Sequence, residues 1–120
     1  MILGFNEKFP PKIEAGTKIH TLREDKKDRW KAGKTIHFAT GVRTKAFNCF
    51  RKGKCVSTQK ITITYRVGHS ALVNIDYRYL TQDEVNILAK NDGFDSVEDF
   101  FTWFDKDFVG KIIHWTDFKY

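Results

Sequence analysis

Long apolar runs are missing from this sequence: no window approaches the roughly 20 consecutive apolar residues that span a bilayer, so no membrane partner is expected. The opening Met1-Ile2-Leu3-Gly4-Phe5-Asn6-Glu7-Lys8 has no charged region followed by a long apolar stretch, so it reads as no signal peptide. Cysteine is scarce. Without an export signal, Cys49 and Cys55 are expected as free thiols in a cytoplasmic protein. Their C-x5-C spacing is not that of zinc ligands, and neither sits in a recognisable nucleophile context. His20, His37, His69 and His114 form neither an H-E-x-x-H motif nor any i, i+4 pair, so no metal is expected. The absence of a P-loop and of G-x-G-x-x-G removes the common nucleotide-cofactor motifs, and no cofactor is assigned.

Aromatics are abundant by contrast. Eleven Phe, four Tyr and three Trp make up 15% of the chain, enough to favour a packed core over disorder. At 120 residues the chain reads as one domain over 1–120, with no repeat or linker, and a monomer is favoured. Charge is uneven. Residues 1–60 carry 15 Lys and Arg against 5 Asp and Glu, whereas residues 61–120 carry 6 against 10. Such polarity either steers a polyanion to one side or is cancelled by folding.

Apolar periodicity gives a coarse plan. Ile2 to Phe5 suits a buried strand, and Pro11 to Ala15 a helical turn stopped by Gly16. Trp30 anchors an otherwise charged loop, and Thr35 to Ala39 alternates as a strand. From Cys55 to Val67, the residues Ile61, Ile63, Tyr65 and Val67 share one face. A turn containing His69 leads into a return strand with Val73, Ile75, Tyr77 and Tyr79 on one face. The period then changes to 3.6. Thr81 and Glu84 make a capping box for a helix over 82–91, with Val85, Leu88 and Ala89 inward. Ser96 opens a second helix over 97–106 whose stripe is Val97, Phe100, Phe101 and Phe104. A last strand spans 111–118. The pattern is an α+β domain with two helices between the penultimate and last strands.

Two stretches carry chemistry. In Gly16-Thr17-Lys18-Ile19-His20-Thr21-Leu22-Arg23, alternation points Lys18 and His20 one way and Thr21 and Arg23 the other. A bend at Thr17 or Ile19 would gather all four. Two cations and a hydroxyl suit a phosphate, a carboxylate or a polar heterocycle. Equally, Lys18 and Arg23 read as surface charges and Thr21 as a β-former. The second stretch, 43–54, sets Arg43, Lys45, Arg51, Lys52 and Lys54 around Phe47 and Phe50 without an acid. Cations track a phosphate backbone and rings stack on bases, so it suits single-stranded RNA. The alternative is a long hairpin turning at Lys52-Gly53, with Phe47 inward and the lysines solvated.

Gly16-x-Lys18-x-x-Thr21-x-Arg23 resembles the G-x-K-x-x-T-x-R signature of the ASCH family. Leu88-Ala89-Lys90-Asn91-Asp92-Gly93-Phe94-Asp95-Ser96 resembles that family's A-x-x-(acidic)-G-F-x-S helix junction. The resemblance implies a PUA-like small mixed β-barrel flanked by the two helices. It implies binding of RNA or a nucleotide-like ligand at Lys18, Thr21 and Arg23. It also implies an alternative, an amidohydrolase acting on a modified nucleoside such as acetylcytidine. There Lys18, Thr21 and Asp92 would be catalytic, with Thr21 as nucleophile, Lys18 as its base and Asp92 protonating the leaving amine. Asp92 stands where the family's acid is a glutamate, one methylene longer. A nuclease using the same lysine and acid, or a protein-interaction domain, are further alternatives.

Overall fold

Pro10 and Pro11 start the first helix because neither residue has to donate an N–H in a first turn. In the computed structural model, which describes residues 1–68 and 70–120, this helix, α1, spans Pro10–Glu14 after a strand β1 at Ile2–Gly4. Strands β2 (His20–Arg23), β3 (Thr35–Thr40), β4 (Asn48–Lys54), β5 (Ser57–Thr64), β6 (Leu72–Ile75) and β7 (Arg78–Tyr79) follow. Helices α2 (Gln82–Asn91) and α3 (Val97–Trp103) come next, and β8 (Phe108–His114) ends the order. The two longer helices therefore lie between the penultimate and last strands, as the change of period predicts. The expectation for His69 falls outside the described residues.

The strands form two sheets rather than a closed barrel. One has the order β1-β3-β4, with β1 parallel to β3; the other is antiparallel in the order β2-β8-β5-β6-β7. They join at a corner. The Cys55 N–H donates to the Lys34 carbonyl beside the first sheet, and the next N–H, Val56, donates to His114 in the second. The opposite seam has no ladder. There the Arg23 guanidinium, on the edge strand β2, donates across to the Gly4 carbonyl on β1 at 2.6 Å. A side chain bridges where closure would have required backbone pairing.

The core lies between the sheets and under the helices. Ile36 and Phe38 from one sheet meet Ile61, Ile63, Ile75, Ile112 and Ile113 from the other, with Leu88, Ala89 and Phe100 from the helices. Trp30 is buried, as expected of an anchor. Other expectations give way. The strand β5 stops at Thr64, so Tyr65 and Val67 lie exposed beyond it. Tyr77 and Tyr79 are also exposed, because a tight turn at Asp76-Tyr77, both with positive φ, reverses the chain after Ile75. The last strand lies at 108–114 rather than 111–118, and α3 is three residues shorter than its apolar stripe suggests. Within that stripe Phe100 is fully buried while Phe101 and Phe104 are half-buried.

Phe100 touches Phe94, Phe101 and Phe104 in edge-on or tilted ring pairs, with centroids 5.0–5.6 Å apart. Phe100→Ala should therefore cost about 3–5 kcal/mol in urea unfolding at pH 7, the usual range for a large ring lost from a core. Phe101→Ala, already partly in water, should cost less than half as much. Equal losses would place both rings in the core to the same depth.

Candidate functional site

Gly16 sits at φ +78 after α1, and the carbonyl of Lys12 then receives the N–H groups of both Thr17 and Lys18. This sharp exit is the bend that the alternating pattern needed. The next N–H, Ile19, donates to the Asn91 carbonyl at the end of α2, which docks the segment 74 positions away in sequence from the acid of the site. Helix α2 ends in a Schellman motif: the Phe94 N–H reaches the Ala89 carbonyl and the Gly93 N–H reaches that of Lys90. Gly93 has φ +92, and a Cβ there would come within 3.0–3.2 Å of the Lys18 side chain. Glycine is required twice over, for the turn and for the lysine stem lying against it.

Lys18 is only 2% exposed, as is Asp92, the C-cap residue of α2. The ammonium donates to the Asp92 backbone carbonyl at 2.6 Å and lies 3.3 Å from its carboxylate Oδ1. The negative end of the helix and the carboxylate thus meet one cation together. His20, fully buried, brings Nδ1 to the same Oδ1 at 3.0 Å, and its Nε2 is 2.5 Å from the Tyr120 hydroxyl. Burial, the largest effect, pulls the Lys18 pKa down, opposed by Asp92 and reinforced by Arg23 and Lys8. It also pulls His20 down, favouring the neutral imidazole.

In front of this pair opens a cavity of about 270 Å³. Lys18, Thr21, Arg23 and Asp92 all line it, and Phe5, Phe9, Phe94, Trp103 and Phe104 supply its aromatic walls. Gly4 and Phe5 form one lip and Thr21 to Arg23 the other, so the cleft lies at the seam where the two sheets do not pair. Arg23 Nε donates to the Thr21 hydroxyl at 3.3 Å, and its guanidinium lies 5.0 Å from the Phe5 centroid. The Lys18 ammonium is 4.5 Å from the Phe9 centroid. Lys8 stands over Phe9, Phe94 and Trp103 at 5.1, 4.9 and 5.1 Å. Two cations, Lys18 and Arg23, therefore line a ring-walled space with one carboxylate, and the exposed Lys8 stands over its aromatic rings. Such a site suits a planar ligand bearing negative charge.

Arg43, Lys45, Arg51, Lys52 and Lys54 do not join them. Arg43 and Lys45 lie in the exposed turn before β4, and the other three lie on β4 itself, lining no part of the cleft. β4 is the outer strand of its sheet, a position where cations commonly discourage unwanted strand addition. The strand runs through Lys52-Gly53 without turning there, and Phe47 is exposed rather than inward. Asn91 and Tyr120 escape the sequence reading as site residues, and His20, gathered there with Lys18, Thr21 and Arg23, receives no role. His20 alternates in step with Lys18, which was a usable signal; Tyr120 offers none, because it arrives from 100 residues away. Among the described residues there is no cluster of metal-ligating side chains.

Behind His20, the buried His114 bonds through Nε2 to Gln59 Oε1 at 2.9 Å, while its Nδ1 has no partner among the described residues. Burial chiefly, then the neighbouring His20, lowers its pKa from 6.5 to about 3. Between those values the unfolded chain binds a proton that the folded one refuses. The stabilisation is therefore complete above pH 6.5 and is lost as pH falls toward 3. Wild type should lose about 2–3 kcal/mol more than His114→Gln between pH 7 and 4.5, at about 1.36 kcal/mol per unit. Urea midpoints at the two pH values measure it, and identical losses would mean that His114 titrates normally.

No family model, no curated protein and no solved structure matches this chain.

Proposed function

We propose that this chain binds RNA or a nucleotide-like ligand, with one base entering the cleft of Lys18, Thr21, Arg23 and Asp92. The observation that carries the reading is the meeting of those four residues in one aromatic-walled cavity. At about 270 Å³ it accommodates a single heterocycle rather than a folded polymer. Rings hold a base by stacking, and the surplus of cations attracts the phosphate that follows it. The chain resembles the ASCH family in the motifs that place these residues, which agrees with this ligand class. The exposed cations from Arg43 to Lys54 give a strand of RNA leaving the cleft a surface to follow.

A second reading is favoured by the burial of Lys18. An amine stripped of water, with a second cation nearby, is drawn toward the neutral form that a base requires, and Asp92 opposes this. In an amidohydrolase acting on acetylcytidine, Thr21 would attack the acetyl carbonyl as Lys18 takes its proton. The C–N bond would then break as the proton taken by Lys18 passes through Asp92 to the departing amine, and water, giving its own proton to Lys18, would release acetate from Thr21.

Titration with a single-stranded RNA at several salt concentrations tests the first reading. Lys18→Met and Arg23→Ala should each weaken binding by roughly 1.5–3 kcal/mol, Thr21→Ala by roughly 0.5–1.5 kcal/mol. Neutralising Arg51, Lys52 and Lys54 together should flatten the salt slope by up to about two units. An unchanged slope would assign those cations to edge protection alone. Release of acetate by wild type but not by Thr21→Ala would replace the binding reading with the hydrolytic one.

A further inference from the structure

The buried polar groups behind the cleft form a chain with a direction. Asn91 Nδ2 lies 3.3 Å from the Tyr120 hydroxyl oxygen, that hydroxyl is 2.5 Å from His20 Nε2, and His20 Nδ1 is 3.0 Å from Asp92 Oδ1. Both ends fix the sense of donation. The amide nitrogen of Asn91 can only donate, and the Asp92 Oδ1 that accepts from Lys18 also faces His20 Nδ1 as an acceptor. The imidazole therefore carries its one proton on Nδ1, aimed at Asp92, and its bare Nε2 accepts from the phenol. Burial agrees with each step, holding the Tyr120 phenol protonated and the imidazole neutral.

The consequence lies on the carboxylate. Lys18 and His20 both meet Oδ1, and among the described residues no donor meets Oδ2. Asp92 borders the cleft, so Oδ2 is the oxygen left for a ligand. We propose that Asn91, Tyr120 and His20 are positioning residues that hold Asp92 as an acceptor, so that the cleft selects a base edge carrying an amino group over one carrying a carbonyl. An amino edge gives Oδ2 a hydrogen; a carbonyl edge sets two acceptors against each other in a dry site, where an unmatched polar group is strongly rejected. Tyr120 itself does not line the cleft, so its hydroxyl acts only through His20.

This selection rests on the nucleotide-binding reading, whereas the direction of the chain does not. The test uses the full chain with two ligand pairs, cytidine against uridine monophosphate and adenosine against inosine monophosphate. Wild type should bind the amino member of at least one pair about tenfold tighter. Tyr120→Phe keeps the ring and removes the donor; His20→Gln removes the donor beside Asp92. Both should narrow the preference to under about threefold, whereas His20→Asn, which keeps an N–H near the Nδ1 position, should retain most of it. Equal affinities within both pairs, or a preference untouched in Tyr120→Phe and His20→Gln, would overturn the proposal. Imidazole nitrogen NMR reads the chain without any ligand: His20 should carry its proton on Nδ1 with Nε2 bare. A proton on Nε2 would refute the chain. Binding of none of the four nucleotides would overturn the ligand selection together with the nucleotide reading, even with the chain intact.

Discussion

The burial of one ammonium group sets the terms for this end of the molecule. Lys18 has lost nearly all of its water, and a charge so placed is tolerable only with several partners in fixed positions. The carbonyl and carboxylate of Asp92 supply them, and both come from one residue at a helix end. That requirement fixes the C-terminus of α2, the left-handed Gly93 and the bend after Gly16, because each must bring the pair within reach. Removing one partner of such a pair generally costs about 3–5 kcal/mol, since the other is left charged in a dry place. A hydrophobic pair of equal volume often serves stability as well, so packing alone does not account for the ion pair.

The cleft exists because the sheets stop short of closing. Had β1 and β2 paired, Gly4 and Arg23 would have spent their polar groups on a ladder and the space between them would have been filled. Instead the guanidinium spans the gap while its face lies on Phe5. The sequence showed the strands that flank this seam but not the seam. Alternation reports which face of a strand is buried, not which neighbour it pairs with. The same limit misplaced Tyr77 and Tyr79, whose alternation with Val73 and Ile75 is broken by a turn at Asp76 lacking the usual glycine. Local chemistry fared better. Thr81 and Glu84 form the capping box, and Gly93 stops α2, because caps depend on residues within one turn.

The site was legible to unequal degrees for the same reason. Lys18, Thr21 and Arg23 lie within six positions, so their meeting required only one bend. Asp92 entered through resemblance to a motif, and the structure brings it within 3.3 Å of Lys18 in spite of its short side chain. The aromatic walls were visible only as composition: Phe5 and Phe9 come from one end of the chain and Phe94, Trp103 and Phe104 from the other. His114, Gln59 and Tyr120 form contacts across 55 and 61 positions, for which no spacing rule exists.

Whether such a site binds or cleaves turns on where the proton of Lys18 resides. Burial, Arg23 and Lys8 all push it off; Asp92 holds it. A base must be neutral, so hydrolysis needs the first group to prevail, whereas a clamp for phosphate or a base needs the second. A ligand enters this contest directly. An anion near Lys8 and Arg23 cancels their repulsion and keeps the ammonium charged, which strengthens its own binding. A neutral amide does the reverse: it excludes the remaining water, leaves the cations uncompensated and favours the free amine. Under the two proposed readings, the charge of the ligand would decide whether this constellation holds a nucleotide or presents a base.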